Sequence, residues 1–184
     1  MDLFEKTVGT EPIFEGQIIK VRKDTVKLPN GETGTREIVE HPGGVAVVAL
    51  DDEENVYVVR QYRHPFEAII MEIPAGKLDH HGEDPFDCCI RELKEETGLS
   101  AGKFDYLGAF MLSPGFCREY IHIYLARELA IGDACLDPDE FLEVEKISLS
   151  KLTDMVMDNE IEDAKTVMGI LKTNELLRRE QLKK

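Results

Sequence analysis

The stretch Gly76-Lys77-Leu78-Asp79-His80-His81-Gly82-Glu83-Asp84-Pro85-Phe86-Asp87-Cys88-Cys89-Ile90-Arg91-Glu92-Leu93-Lys94-Glu95-Glu96-Thr97-Gly98-Leu99 decides how this chain is read. It sets a turn, a helix start and a carboxylate cluster in one continuous run. Asp84 is placed to cap a helix, Pro85 suits its first position, Asp87 can reach back to the cap, and Gly98 ends the run. A helix of about three turns is predicted between them. Phe86, Cys89, Ile90, Leu93 and Thr97 recur at helical spacing and predict one narrow stripe facing the core. Glu92 and Glu96 lie one turn apart beside that stripe, at the predicted boundary between core and solvent, with Glu95 further toward water. Like charges at this spacing repel, so a bare surface helix gains nothing from them. A hard dication reverses that cost, because magnesium prefers oxygen ligands and keeps waters for a phosphate partner. The plainer account of any such carboxylate pair is a solvated acidic face.

Composition agrees with a soluble globular protein. At 184 residues and 42% hydrophobic content, the chain can bury one sizeable core with a small appendage. No run reaches the roughly 18 apolar residues that span a membrane. Met1-Asp2-Leu3-Phe4-Glu5 lacks the basic and apolar regions of a signal peptide, so a cytoplasmic location is expected. Cys88 and Cys89 are neighbours on the predicted helix while Cys117 and Cys135 stand alone, and the four are read as reduced and mostly buried. Twenty-two basic against 37 acidic side chains give a net charge of −15, which repels nucleic acid and anionic membranes. A polyphosphate ligand is repelled too, except where metal ions and a few placed arginines reverse the local field. That requirement points to Arg36, Arg60 and Arg63.

Outward from the quoted stretch, Gln17 to Leu28 alternates as a strand, Pro29-Asn30-Gly31 makes a turn, and Thr33 to Glu40 runs back. Pro42-Gly43-Gly44 marks a boundary, giving an N-terminal β region over 1–42 and a main domain over 43–184. Val45 to Leu50 is an unbroken apolar run suited to a strand buried on both faces. Further strands are predicted at Val56 to Tyr62, Met71 to Ile73, Phe104 to Leu112, Tyr120 to Ala126 and Leu142 to Ile147. Ser150 is a cap for a short helix from Lys151 to Met157. Asp163 caps a long helix whose Val167, Met168, Leu171 and Leu176 share a face. Strands between helices predict an α/β fold with a mixed sheet between helical layers.

The quoted stretch resembles the Nudix box, Gly-x5-Glu-x7-Arg-Glu-apolar-x-Glu-Glu-x-Gly-apolar, at every fixed position from Glu83 to Leu99. One departure is a sixth residue between Gly76 and Glu83, so that His80 or His81 is an insertion, which a loop beside Gly82 absorbs cheaply. Gln61-Tyr62-Arg63, Glu72-Ile73-Pro74-Ala75-Gly76-Lys77-Leu78 and Ser113-Pro114-Gly115-Phe116 are similar to the ADP-ribose pyrophosphatase branch of that superfamily. Nucleoside diphosphate sugar hydrolases share much of this pattern. The resemblance implies the Nudix α/β/α sandwich, preceded by a small antiparallel β hairpin region.

It also implies site roles. Glu92 and Glu96 would be metal ligands, Glu95 would hold or share another metal, and the Ala75 carbonyl would complete the site, with Gly76 supporting the turn. Glu83 would pair with Arg91 to brace the loop. Arg63 would contact a diphosphate oxygen, and Arg36 with Glu37 would lie near the terminal ribose or phosphate. Phe116, like Phe14 and Tyr62, could stack on a base, although each is more often core filler. The general base is placed by resemblance on an acidic loop near Leu136-Asp137-Pro138-Asp139-Glu140-Phe141-Leu142-Glu143-Val144, with Glu140 chosen and Asp139 next; a solvated loop is the plain alternative. Two or three Mg2+ ions, or Mn2+, are implied per site. The expected reaction is hydrolysis of ADP-ribose to AMP and ribose 5-phosphate. Other nucleoside diphosphate sugars or dinucleotides are the alternative within enzymes, and an ADP-ribose sensor is the alternative outside them. Sensors of this kind lose box carboxylates, and all are present here. A homodimer built through residues 1–42 is implied, with no nucleic acid or membrane partner.

Overall fold

The computed structural model describes residues 3–78, 82–136, 138 and 140–183. In chain order the elements are β1 (Lys6–Glu15), β2 (Lys20–Lys27), β3 (Thr33–Glu40), β4 (Gly44–Leu50), β5 (Asn55–Arg63), a 3-10 turn (His64–Phe66), β6 (Ala68–Glu72), β7 (Ala75–Lys77), α1 (Pro85–Thr97), β8 (Leu99–Met111), β9 (Cys117–Arg118), β10 (Tyr120–Ile131), β11 (Leu142–Ser148), α2 (Leu149–Met157) and α3 (Ala164–Gln181). The chain divides into two compact units, Met1–Gly43 with Met111–Tyr120, and Gly44–Phe110 with Ile121–Lys184.

The first unit is a sheet in the order β1-β2-β3-β9. The predicted hairpin is β2 and β3. It closes where Gly31 takes a φ of 86°, a left-handed conformation that suits glycine, and donates its N–H to the Leu28 carbonyl at 2.8 Å. Strand β1 was not predicted. All its residues are exposed and its register on β2 shifts between Thr7 and Gly9 and between Pro12 and Phe14, so no apolar alternation marks it. Main-chain pairing with β2 makes it a strand.

The second unit carries a sheet in the order β11-β5-β4-β10-β8, with β6 paired to β5 and β7 to β4. Strand β4 runs parallel to β10 and antiparallel to β5, so the sheet is mixed. Every residue of β4 is buried, as an apolar run covered on both faces requires. Val45, Val47 and Ala49 pack in one cluster with Cys88, Cys89 and Leu93 of α1 and with Tyr124 and Ala126 of β10. On the other face α3 comes so close at Gly169 that a Cβ there would stand 2.9 Å from Val48 Cγ2 and Ile73 Cδ1. Helices on both faces make the expected α/β/α sandwich.

Helix α1 starts and stops as its local signals predict. Asp84 accepts from the Phe86 N–H at 2.7 Å, Pro85 opens the helix, and Gly98 ends it at a φ of 71°. Its buried face differs from the predicted stripe: Cys88, Cys89, Glu92, Leu93 and Glu96 are buried, while Phe86 and Ile90 are exposed. Phe86 instead packs edge-on against Phe104 at the rim, with ring centroids 5.2 Å apart. The buried face of α3 is Thr166, Gly169, Ile170 and Thr173 rather than the predicted Val167, Met168, Leu171 and Leu176, because small residues permit the close approach to the sheet. Ser148, not Ser150, caps α2, accepting from the Lys151 N–H at 3.3 Å. Strand β6 ends at Glu72, before the predicted Ile73, whose N–H leaves the ladder to donate to Thr166 Oγ1 at 2.9 Å.

Candidate active site

Strand β7 pairs with the start of β4, setting Gly76 opposite Val45 and Ala75 opposite Ala46. Helix α1 also packs on these two strands. Gly76 has no Cβ, and the Glu92 carboxylate occupies the space where one would stand. One turn on, Glu96 Oε2 accepts the Ala75 N–H at 2.9 Å. Gly44 is required for a different reason: a Cβ there would meet the Gly76 carbonyl oxygen at 2.6 Å, which is backbone and cannot swing aside. The two carboxylates are therefore locked onto the β7 backbone. They were predicted at the core boundary, and they are more deeply buried, at 5% exposure for Glu92 and 2% for Glu96. Glu95 is partly exposed beside them.

Arg91 ties the cluster together. Its Nη1 donates to Glu92 Oε1 at 2.8 Å and to Glu95 Oε2 at 2.9 Å, and its Nη2 lies 3.2 Å from Cys88 Sγ. Glu83 reaches Nη2 only at 3.5 Å, the length of a loose ion pair rather than a strong hydrogen bond. Burial pushes the Glu92 carboxyl up to about 7 despite the opposing charge of Arg91, with Glu95 and Glu140 adding repulsion. Burial likewise pushes Glu96 up to about 8, opposed by the Ala75 hydrogen bond and reinforced by Glu92 and Glu140. The chosen loop residue Glu140 thus acts electrostatically on both helix carboxylates. Asp139, its alternative, and His80 and His81 lie outside the described residues.

Arg63, at the end of β5, stands with this cluster, since the charges of Glu96 and Glu72 both act on it. It forms a bidentate pair with Glu72, Nε to Oε1 and Nη2 to Oε2, each at 2.7 Å. The pair engages one edge of the guanidinium, and the Arg63 side chain remains 39% exposed. Glu72 is a functional candidate that sequence reasoning passed over. Its only signal was its place in the run leading to Ala75, and its burial appears only in the fold. Arg60 is held by Glu145 at 2.5 Å on the neighbouring strand β11, the ordinary surface pair.

Arg36, Glu37, Phe14 and Phe116 belong to the first unit. Arg36 donates from Nε to Glu5 Oε2 at 2.9 Å and forms a second bond from Nη2 to Glu5 Oε1. Glu37 follows it on β3, exposed. Phe116 is 58% exposed, and its backbone carbonyl accepts from the Val39 N–H at 2.8 Å. Phe14 and Tyr62 are also exposed rather than core filler.

Among the described residues no three acidic, histidine or cysteine side chains are already gathered as a metal cage. Glu92 and Glu95 are turned to Arg91, and Glu96 to the Ala75 N–H. The donor set nonetheless fits a hard dication. It is all oxygen, three carboxylates and the Ala75 carbonyl, two of the carboxylates are buried, and Gly76 leaves Glu92 its place.

In this α/β/α sandwich two buried glutamates of one helix pack over the short strand β7. The NUDIX domain model matches residues 40–168. The chain belongs to the NUDIX domain family. Residues 5–39 match the nucleoside diphosphate sugar hydrolase N-terminal domain. The chain is 46% identical to the ADP-ribose pyrophosphatase of Bacillus subtilis (strain 168) over 170 residues, covering 91% of each. It is also 46% identical to the methanol dehydrogenase activator of Bacillus methanolicus over 168 residues, covering 90% of each. A solved ADP compounds hydrolase aligns with a TM-score of 0.84 at 22% identity, covering 96% of this chain and 95% of that one, a likeness of fold.

Proposed function

We propose that this chain is a divalent-metal-dependent pyrophosphohydrolase that splits ADP-ribose into AMP and ribose 5-phosphate. The observation that carries the reading is the interlock of Glu92 on Gly76 and Glu96 on Ala75, with Glu140 acting on both. The names of relatives at 44–46% identity supply the substrate.

Glu92, Glu95, Glu96 and the Ala75 carbonyl would hold Mg2+ or Mn2+, two or three ions per site. When bound, such ions supply charge neutralisation at the phosphoryl oxygens and lower the pKa of water. The chain's own groups do the rest. Arg91 and Glu83 hold the helix start and its loop. Arg63 offers its free edge to a diphosphate oxygen, and Glu140 takes a proton from the attacking water. Residues 1–42 form a β region that supplies Arg36 and Glu37 to substrate and joins two subunits in a cytoplasmic homodimer, and Phe116 is a further substrate contact. The main domain is residues 43–184.

A second reading is hydrolysis of another nucleoside diphosphate sugar. It is favoured by the N-terminal domain match and by 30% identity to the GDP-mannose pyrophosphatase of Salmonella typhi over 189 residues. The deciding assay is AMP release from ADP-ribose with and without magnesium, beside ADP-glucose, GDP-mannose, diadenosine polyphosphates and NADH. Preference for ADP-ribose supports the first reading, and preference for GDP-mannose or ADP-glucose the second. Tight binding of ADP-ribose without turnover would make the chain a sensor.

A further inference from the structure

We propose that Lys165, at the start of α3, is a positioning residue for Arg63, acting through the shared carboxylate of Glu72; this rests on the reading of Arg63 as the diphosphate contact. Glu72 is 2% exposed and takes both Arg63 and Lys165. A buried carboxylate with one cation would neutralise that cation and hold it inward. With two, Glu72 Oε2 is divided between Arg63 Nη2 and Lys165 Nζ, so Arg63 is oriented without being fully cancelled. Lys165 is itself fixed by Asp163 Oδ1 at 3.0 Å. Asp163 Oδ2 caps α3, accepting the Thr166 N–H at 2.9 Å and the Thr166 hydroxyl at 2.6 Å. Thr166 Oγ1 in turn accepts the Ile73 N–H, beside Glu72.

The bonds close a ring between the end of β6 and the N-terminus of α3, and Arg63 of β5 is joined to it at Glu72. The cap of α3 and the aim of Arg63 become one structure, and partial positive charge at the helix start offsets Asp163. Lys165 is 11% exposed and already has two carboxylate partners, so its role runs through Glu72 rather than through a ligand.

The test is a double-mutant cycle of Lys165→Met and Arg63→Met, with Lys165→Arg as the conservative variant and thermal melting as the check on folding. With Arg63 taken as a contact to the diphosphate of bound substrate, Lys165→Met is expected to raise KM for ADP-ribose about tenfold with kcat little changed, the lower end for one hydrogen bond to a charged group. The double variant should match Arg63→Met alone, and Lys165→Arg should recover most of the affinity. Additive losses, or an unchanged KM in Lys165→Met, would overturn the proposal. Should Lys165→Met not fold, Lys165→Gln takes its place in the cycle. Wild-type turnover of ADP-ribose is measured separately and tests the functional reading alone. In a chain that does not turn over, the same cycle is read in the Kd for ADP, where additivity again refutes the linkage.

Discussion

Substituting Gly76 by alanine separates metal binding from folding. The new Cβ would overlap the Glu92 carboxylate, the far end of a side chain that can turn, so Glu92 must leave its place over β7. Leaving breaks its 2.8 Å bond from Arg91, worth about 1.5–3 kcal/mol for a charged pair, and adds roughly 1 kcal/mol of off-rotamer strain if the carboxylate stays close. A displaced carboxylate also loses its charged contact to the ion, and about 1.5–3 kcal/mol for such a contact corresponds to a loss of roughly 10- to 150-fold in affinity. Calorimetric titration with Mn2+ reads that loss directly, and a thermal melt shows whether the domain still folds. Gly44→Ala is the contrasting variant. Its Cβ meets the Gly76 carbonyl oxygen, which is part of the β4–β7 ladder, so it should lower stability first and metal affinity only as a consequence. A folded Gly76→Ala that binds Mn2+ like the wild type would refute the claim that Glu92 holds the ion from this seat.

Glu96→Gln keeps an acceptor for the Ala75 N–H and removes a carboxylate that could bind a metal ion. It should melt within a few degrees of wild type yet lose most turnover and metal affinity; wild-type turnover would remove the carboxylate cluster from the active site. Deleting residues 1–42 takes away β3, the partner of β9, and should yield monomer or aggregate with weak activity, as light scattering and the AMP assay will report. A fully active monomer would exclude the proposed role of that region. The Glu72 carboxyl is raised by burial but more strongly lowered by Arg63 and Lys165, so it sits below its usual range. Its stabilisation is fully present above the unfolded pKa of about 4.3 and is lost as pH falls through the lower folded value. The melting temperature should therefore fall more steeply below that pH in wild type than in Glu72→Gln, and parallel curves would contradict the assignment.

The helix at the heart of the site was legible in advance because its determinants are contiguous. Asp84, Pro85 and Gly98 act within one turn of the ends they define, and the spacing of Arg91, Glu92, Glu95 and Glu96 is a property of the helix alone. Strand β4 was legible for a similar reason, since six apolar residues in a row, Val45 to Leu50, demand cover on both sides. The stripe on α1 was misjudged where it mattered most. Apolarity pointed to Phe86 and Ile90, whereas the fold buries Glu92 and Glu96, and no local pattern announces a buried charge. Strand β1 escaped for the opposite reason, being exposed throughout and held by main-chain bonds that any sequence can make.

The amino-acid sequence by itself determined the family, the acidic helix and the residues offered for metal binding, because these depend on order and spacing along a few turns of chain. Only the tertiary structure decided which carboxylates lose water, why Gly76 must lack a side chain, and how Lys165 reaches Glu72 across 93 residues. Desolvation and charge pairing depend on what is packed around a group. That is set by parts of the chain distant in sequence.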